Sequence, residues 1–233
     1  MARQARFNLP GIAQHVVQRA HAGRACFIDD CDRIHYLREL LAASRRHDCR
    51  IHAYVLMDDH VHLLATPLVS TGVPRMMQAL GRRYVAGFHA RHLGSGPLWR
   101  RYAAALIADG SHLLACCRHI ESNPLRAGLV SQACDWRWSS HACTAYGVPD
   151  PCVTPHAGYE RLGRDAASRS AAWRRLFQSQ PDPRETSELR LHTRQQKAWG
   201  SREFRREVEA RSARVAGTRP RGRPRVAWAG PRS

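Results

Sequence analysis

Polar and apolar residues alternate over Gln14-His15-Val16-Val17-Gln18-Arg19, the period of a short strand. A helical period follows. Asp29 or Asp30 stands where a cap belongs, and Ile34, Leu37, Leu40 and Leu41 recur on one side as far as about His47. Arg50 to Leu56 and His60 to Thr66 return to strand character, and Met57-Asp58-Asp59 between them forms a tight turn, so the two make a hairpin. Val73 to about His92 carries Met76, Met77, Leu80, Tyr84 and Phe88 at helical spacing, and Ala103 to Ile107 reads as a fourth strand. Ser111 caps a helix that runs into Asn123-Pro124, where the proline ends it. Strand, helix, strand, strand, helix, strand, then a further helix predicts an α+β, ferredoxin-like β-α-β-β-α-β domain. Such a sheet carries helices on one face and leaves the other free. The fold alone assigns no function.

Beyond this pattern the chain changes character. Gly147 to Pro155 is turn-rich, with three prolines, and sets a boundary near residue 148. Residues 149–216 read as a basic extension with two polar helical segments, roughly Ser168 to Gln178 and Ser201 to Ala213. Residues 217–233 form a Pro/Gly/Arg-rich tail of the composition expected for disorder. The tail contains Arg219-Pro220-Arg221-Gly222-Arg223-Pro224-Arg225, similar to an AT-hook core in which Arg221 and Arg223 would enter a narrow minor groove. The alternative is a solvated basic tail that touches phosphates.

Charge sharpens the picture. The 233 residues hold 37 Lys+Arg against 19 Asp+Glu, a net +18 with 14 His counted neutral, and Lys197 is the sole lysine. Residues 1–150 carry 18 Arg and 11 acids, whereas the shorter remainder carries 19 Lys+Arg and 8 acids, so the extension is the more basic part. Such a surplus favours a polyanion as partner, a nucleic acid or an anionic membrane surface. With 43% hydrophobic residues a core is available, which excludes a wholly disordered chain. No apolar run spans a bilayer and no signal-like segment opens the chain, so a cytoplasmic, nucleoid-associated location is expected. The eight cysteines include no C-x-x-C pair, which argues against a zinc ribbon and for small buried thiols.

The sharpest chemical signal is His60-Val61-His62. On a strand, positions i and i+2 project from the same face about 7 Å apart, so two imidazoles can converge on one metal while Val61 packs behind. Asp58 could orient one imidazole as an outer partner. Against this, His-x-His arises readily by chance in a chain with 14 His.

Tyr54-Val55-Leu56-Met57-Asp58-Asp59-His60-Val61-His62-Leu63-Leu64 resembles the signature hairpin of the single-strand tyrosine transposases with a His-hydrophobe-His motif, and in particular the REP-associated tyrosine transposases. The resemblance continues in order through Met76 to Tyr84, Gly96-Pro97-Leu98-Trp99, Asn123 to Val130 and Trp138-Ser139-Ser140, covering roughly residues 5–145. It implies a divalent metal, Mg²⁺ or Mn²⁺, held by His60, His62 and the polar residue at Asn123. It further implies a tyrosine nucleophile that forms a phosphotyrosyl link to single-stranded DNA, recognition of a DNA hairpin, strand transfer as in DNA transposition, and commonly a homodimer.

This chain departs from the pattern at the nucleophile. The family's Tyr-Ile-x-x-Asn-Pro reads His119-Ile120-Glu121-Ser122-Asn123-Pro124, and no tyrosine lies between Tyr102 and Tyr146. Asp58-Asp59 replaces the common Pro-Asn turn, Ala20 replaces a glycine, and Trp99-Arg100-Arg101-Tyr102-Ala103 lacks the family's lysine. Three readings of His119 stay open: a relic in a DNA-binding but cleavage-deficient protein, a third imidazole in a site that would prefer Zn²⁺, or a nucleophile in its own right. A metal-dependent nuclease using water needs no tyrosine at all. Arg82, Arg83, Arg91, Arg100, Arg101, Arg118 and Arg126 are the candidate phosphate contacts, and Trp99, Tyr102, Trp136 and Trp138 the candidate stacking residues.

Overall fold

The run Ile51-His52-Ala53-Tyr54-Val55-Leu56-Met57 is almost continuously apolar, which is the mark of a strand covered on both faces rather than one. The computed structural model of the chain, which describes residues 6–179 and 182–219, shows this arrangement. Strands β1 (Gln14–Arg19), β2 (Cys49–Met57), β3 (His60–Pro67), β4 (Ala103–Ile107) and β5 (Ala198–Trp199) form a sheet of order β2-β3-β1-β4-β5. The first four pair antiparallel in the ferredoxin-like order, and β5 adds in parallel beside β4.

Helices α1 (Asp30–Arg46) and α2 (Gly72–His92) cover one face. Asp29 caps α1 by accepting from the Asp32 N–H, and the Asp32 side chain reaches back, a capping box. Leu40, Met76, Leu80 and Tyr84 from this layer pack on Val16, Val61 and Leu63 of the sheet. The opposite face is covered too, contrary to the expectation of a free face. Leu113 and Ile120 of α3 (Ser111–Glu121), Trp173 of α7 (Ala166–Gln178) and Leu189 of α8 (Pro183–Gln195) pack there against Val55, Leu64 and Ile107.

The helix expected to run into Asn123 stops earlier. Gly110 rather than Ser111 precedes its first turn, α3 ends at Glu121, and the backbone breaks at Ser122 (φ −85°, ψ 5°). A short α4 (Asn123–Arg126) then starts with Pro124 in its first turn, where the missing N–H costs nothing. Two further short helices, α5 (His141–Tyr146) and α6 (Ala157–Glu160), lead into the extension.

The extension is built onto the sheet. The Leu106 N–H donates to the Lys197 carbonyl at 3.1 Å, and α8 lies across β4 and β1. Helix α9 (Arg202–Ser212) closes the edge, with Phe204 and Val208 against Phe7, Ile12 and Leu106. All eight cysteines are free thiols, and Cys26, Cys49, Cys116, Cys117 and Cys152 are buried. Among the described residues no helix is long and apolar enough to cross a membrane. Arg221 and Arg223, the AT-hook-like pair, lie outside the described residues.

Candidate metal and phosphate site

Register places the imidazoles. On β3, His60 and His62 share one face with Leu64, while Val61 and Leu63 enter the α1/α2 core. Across the central ladder Arg19 faces His60, Val17 faces His62 and His15 faces Leu64, so His15 is the diagonal neighbour of His62. The next strand presents Ala103 and Ala105 opposite Val17 and His15. Ala105 is buried in the core, whereas the small side chain of Ala103 borders a cavity of about 610 Å³ that lies over this part of the sheet.

A chain of hydrogen bonds fixes the rings. Asp59 Oδ1 accepts from His60 Nδ1 at 2.5 Å, while Asp58, expected to take that role, is paired with Arg33 instead. His15 Nε2 and His62 Nδ1 are 2.8 Å apart, and His15 Nδ1 lies 2.9 Å from Thr193 Oγ1 on α8. Both His60 and His62 thus have Nδ1 engaged, which leaves Nε2 of each for the cavity. Outer partners of this kind fix the tautomer and aim of a metal-binding imidazole. Burial pushes the His15 pKa down to about 3, with the Arg126 guanidinium adding to the effect. Burial likewise holds His62 well below the ordinary histidine range, and lowers His60 against the opposing pull of Asp59. The cluster is therefore neutral at pH 7, the form in which imidazole binds a metal.

His119 comes from α3 and is only 4% exposed. Burial first, then Arg126, His15 and Arg190, depress its pKa well below the usual value. Its Nδ1 is buried without a partner. His15, His62 and His119 each offer a ring nitrogen within 4.8 Å of the others'. Asn123, at the start of α4, borders the same cavity. The donor set fits a divalent ion, with His60, His62 and Asn123 or His15, His62 and His119 as the groups that could hold it.

What holds α3 in place is Glu121, fully buried beneath the site. Its carboxylate accepts from Ser140 Oγ (2.6 Å), Thr144 Oγ1 (2.9 Å), His141 Nδ1 (3.1 Å) and Trp173 Nε1 (3.0 Å). A carboxylate between a histidine and an asparagine reads as an exposed helix position in the sequence, and nothing there announces four partners drawn from two later helices.

The arginines divide. Arg100, Arg101 and Arg126 line the cavity, joined by Arg19, Arg190 and Arg194. Arg82 instead borders an adjoining open groove of about 900 Å³ with Arg75 and Trp99, and Arg100 and Arg101 line both spaces. Arg83 turns toward α1 and pairs with Glu39 (3.5 Å), Arg91 pairs with Asp29 and Asp32, and Arg118 donates to the Leu176 carbonyl and Ser179. Those three are spent within the chain and do not reach the cavity. Trp138 is buried and Trp136 donates to the Leu56 carbonyl, so both belong to the core, whereas Trp99 and Tyr102 flank the groove. Neither Tyr102 nor Tyr146 borders the cavity.

Sequence reasoning missed His15, Thr193, Arg190 and Arg194. His15 had a usable signal, since it sits on the central strand of a ferredoxin-like order at the alternation shared with the His-x-His pair. The α8 residues had none, because their placement depends on how the extension docks.

The family model described as IS200-like transposase matches residues 9–123. Comparison with curated protein sequences gives no match. Among solved structures, a REP-associated tyrosine transposase bound to a REP hairpin aligns with a TM-score of 0.53 and 19% identity, over 68% of this chain and 96% of that one. A Deinococcus radiodurans chain described as a candidate transposase aligns at 20% identity over 55% of this chain and 92% of its own, with a TM-score of 0.34. The first shares the fold of this chain. Over residues 9–123 the chain belongs to the IS200-like transposase family.

Proposed function

We propose that this protein handles single-stranded or hairpin DNA at a divalent-metal site in the manner of its transposase family, but without the tyrosine-linked step. The observation that carries this reading is the cavity itself: among the described residues four imidazoles and six guanidiniums border it, with no carboxylate and no tyrosine. The hairpin bound to the structurally similar transposase supports DNA as partner. A divalent metal held by the imidazoles would act as a Lewis acid on a phosphate oxygen. The chain's own residues do the rest. Asp59 and His15 aim His60 and His62, while Arg100, Arg101 and Arg126 offer charge to the DNA backbone. Its burial and lowered pKa support reading His119 as a floor residue or a ligand rather than as an attacking group.

A second reading is a metal-dependent nuclease using water, which the mutual proximity of His15, His62 and His119 favours, because three imidazoles with an open position suit Zn²⁺. One experiment separates the readings. The purified protein is incubated with Mn²⁺ or Zn²⁺ and end-labelled hairpin DNAs taken from beside its gene, as wild type, His60→Ala and His119→Tyr. Salt-sensitive binding without cleavage in wild type, and a covalent adduct only in His119→Tyr, is the expected result. Free cleaved ends that His60→Ala abolishes would establish the nuclease, a covalent adduct in wild type would restore a nucleophile, and absence of binding would overturn DNA as the partner.

A further inference from the structure

Arg126 is held at one corner and open at the others. Its Nη1 donates to the His119 carbonyl (2.8 Å) and to Ser122 Oγ (2.5 Å), which fixes the guanidinium plane. Its Nε and Nη2 are buried and have no partner. Leaving two donors of a cation unsatisfied away from water is costly, and native sites tolerate it where a ligand completes them. Arg190 lies close enough to lower the Arg126 pKa, which burial chiefly drives, to about 10. Arg190 and Arg194, one turn apart on α8, border the same cavity, and their side chains form no hydrogen bond or ion pair with any described residue. Two like charges brought together without a carboxylate repel, and an anion between them reverses the sign of the interaction.

We propose that Arg126 and Arg190 form a phosphate subsite, with Arg194 at its rim, which takes a backbone phosphodiester of the bound DNA strand. The proposal rests on the DNA-binding reading above. It gives helix α8, outside the stretch matched by the family model, a direct part in the site: Thr193 fixes His15 from the same helical face that presents Arg190 and Arg194. The guanidinium fork suits this ligand because it donates in parallel to two phosphate oxygens. A terminal or free phosphate shares the chemistry.

The test compares wild type, Arg190→Gln and Arg184→Gln on the full chain. Arg184 lies on the same helix but outside the cavity and removes the same charge. Arg190 is exposed, so neither change threatens the fold. Single-stranded oligonucleotides carrying one neutral methylphosphonate, moved along the strand, are titrated at several salt concentrations. Arg190→Gln is expected to weaken binding about tenfold, the scale of one charge-assisted hydrogen bond, and to flatten the slope of log K against log salt by about 0.7. Arg184→Gln should change the affinity less than threefold. One methylphosphonate position should weaken wild type about tenfold yet leave Arg190→Gln unaffected. If every position weakens both proteins equally, the subsite does not read the backbone and the proposal falls. Inorganic phosphate is titrated separately by thermal shift, without DNA. Stabilisation of wild type but not of Arg190→Gln, with no coupled backbone position, would assign the subsite to a free or terminal phosphate and overturn the backbone assignment. Should wild type bind no single strand at all, the DNA reading fails first, and the phosphate titration still reports on the subsite.

Discussion

Removing the Glu121 side chain should unfold the site from below. In Glu121→Ala four donors lose their acceptor. Two have fallbacks: Ser140 Oγ lies 3.4 Å from the Tyr54 carbonyl, and Thr144 Oγ1 lies 3.3 Å from the carbonyls of Ser140 and His141. The Trp173 indole N–H and the His141 ring have no other acceptor among the described residues, and both side chains are buried. Each stranded donor costs about 1–3 kcal/mol, and breaking one side of a buried charged network costs roughly 3–5 kcal/mol in all. For a chain of this size 1 kcal/mol shifts Tm by about 2–4 °C, so the midpoint should fall by roughly 6–20 °C. Glu121→Gln, which keeps one acceptor oxygen but turns an NH₂ toward the other donors, should fall between wild type and alanine. Thermal unfolding followed by circular dichroism gives the midpoints. A Glu121→Ala midpoint within 2 °C of wild type would refute the reasoning, because it would mean that the four hydrogen bonds do not hold α3 against α5 and α7.

Two other outcomes follow from the same geometry. His15→Phe keeps a ring in the space but strands Thr193 Oγ1 and His62 Nδ1, and calorimetric titration with Mn²⁺ should show affinity lower by about 10–100-fold; an unchanged isotherm would mean that His15 does not orient His62. His52, bonded to the Thr154 carbonyl and Thr66 Oγ1, has its pKa pushed down by burial to about 4, so between pH 6.5 and 4 the unfolded chain binds the extra proton and stability is lost as pH falls. Urea midpoints across that window should show up to about 1.4 kcal/mol per pH unit from this residue, and His52→Gln should flatten the slope; an equal slope in both would show that His52 titrates alike in the two states.

Local periodicity by itself determined the first half of the molecule. The strand alternation at Gln14–Arg19, the hairpin around Asp58-Asp59 and the helical spacing of Met76 to Phe88 each depend on neighbours within a few residues, and each element formed where its pattern lay. The ordered blocks around His60, His62 and Asn123 carried the family with them. Tertiary structure decided what those residues meet. Helix α8 has two apolar positions, Leu189 and Leu191, and β5 two residues, too little for a periodic signal, yet the edge of β4 gives β5 its hydrogen bonds and the sheet face buries Leu189. His15 became the partner of His62 because β1 lies between β3 and β4, a long-range pairing that no local pattern records. Arg118 and Arg126 look alike in sequence, eight residues apart. The docking of α7 and α8 satisfies the first through Leu176 and Ser179, and leaves the second facing a cavity with two donors unsatisfied.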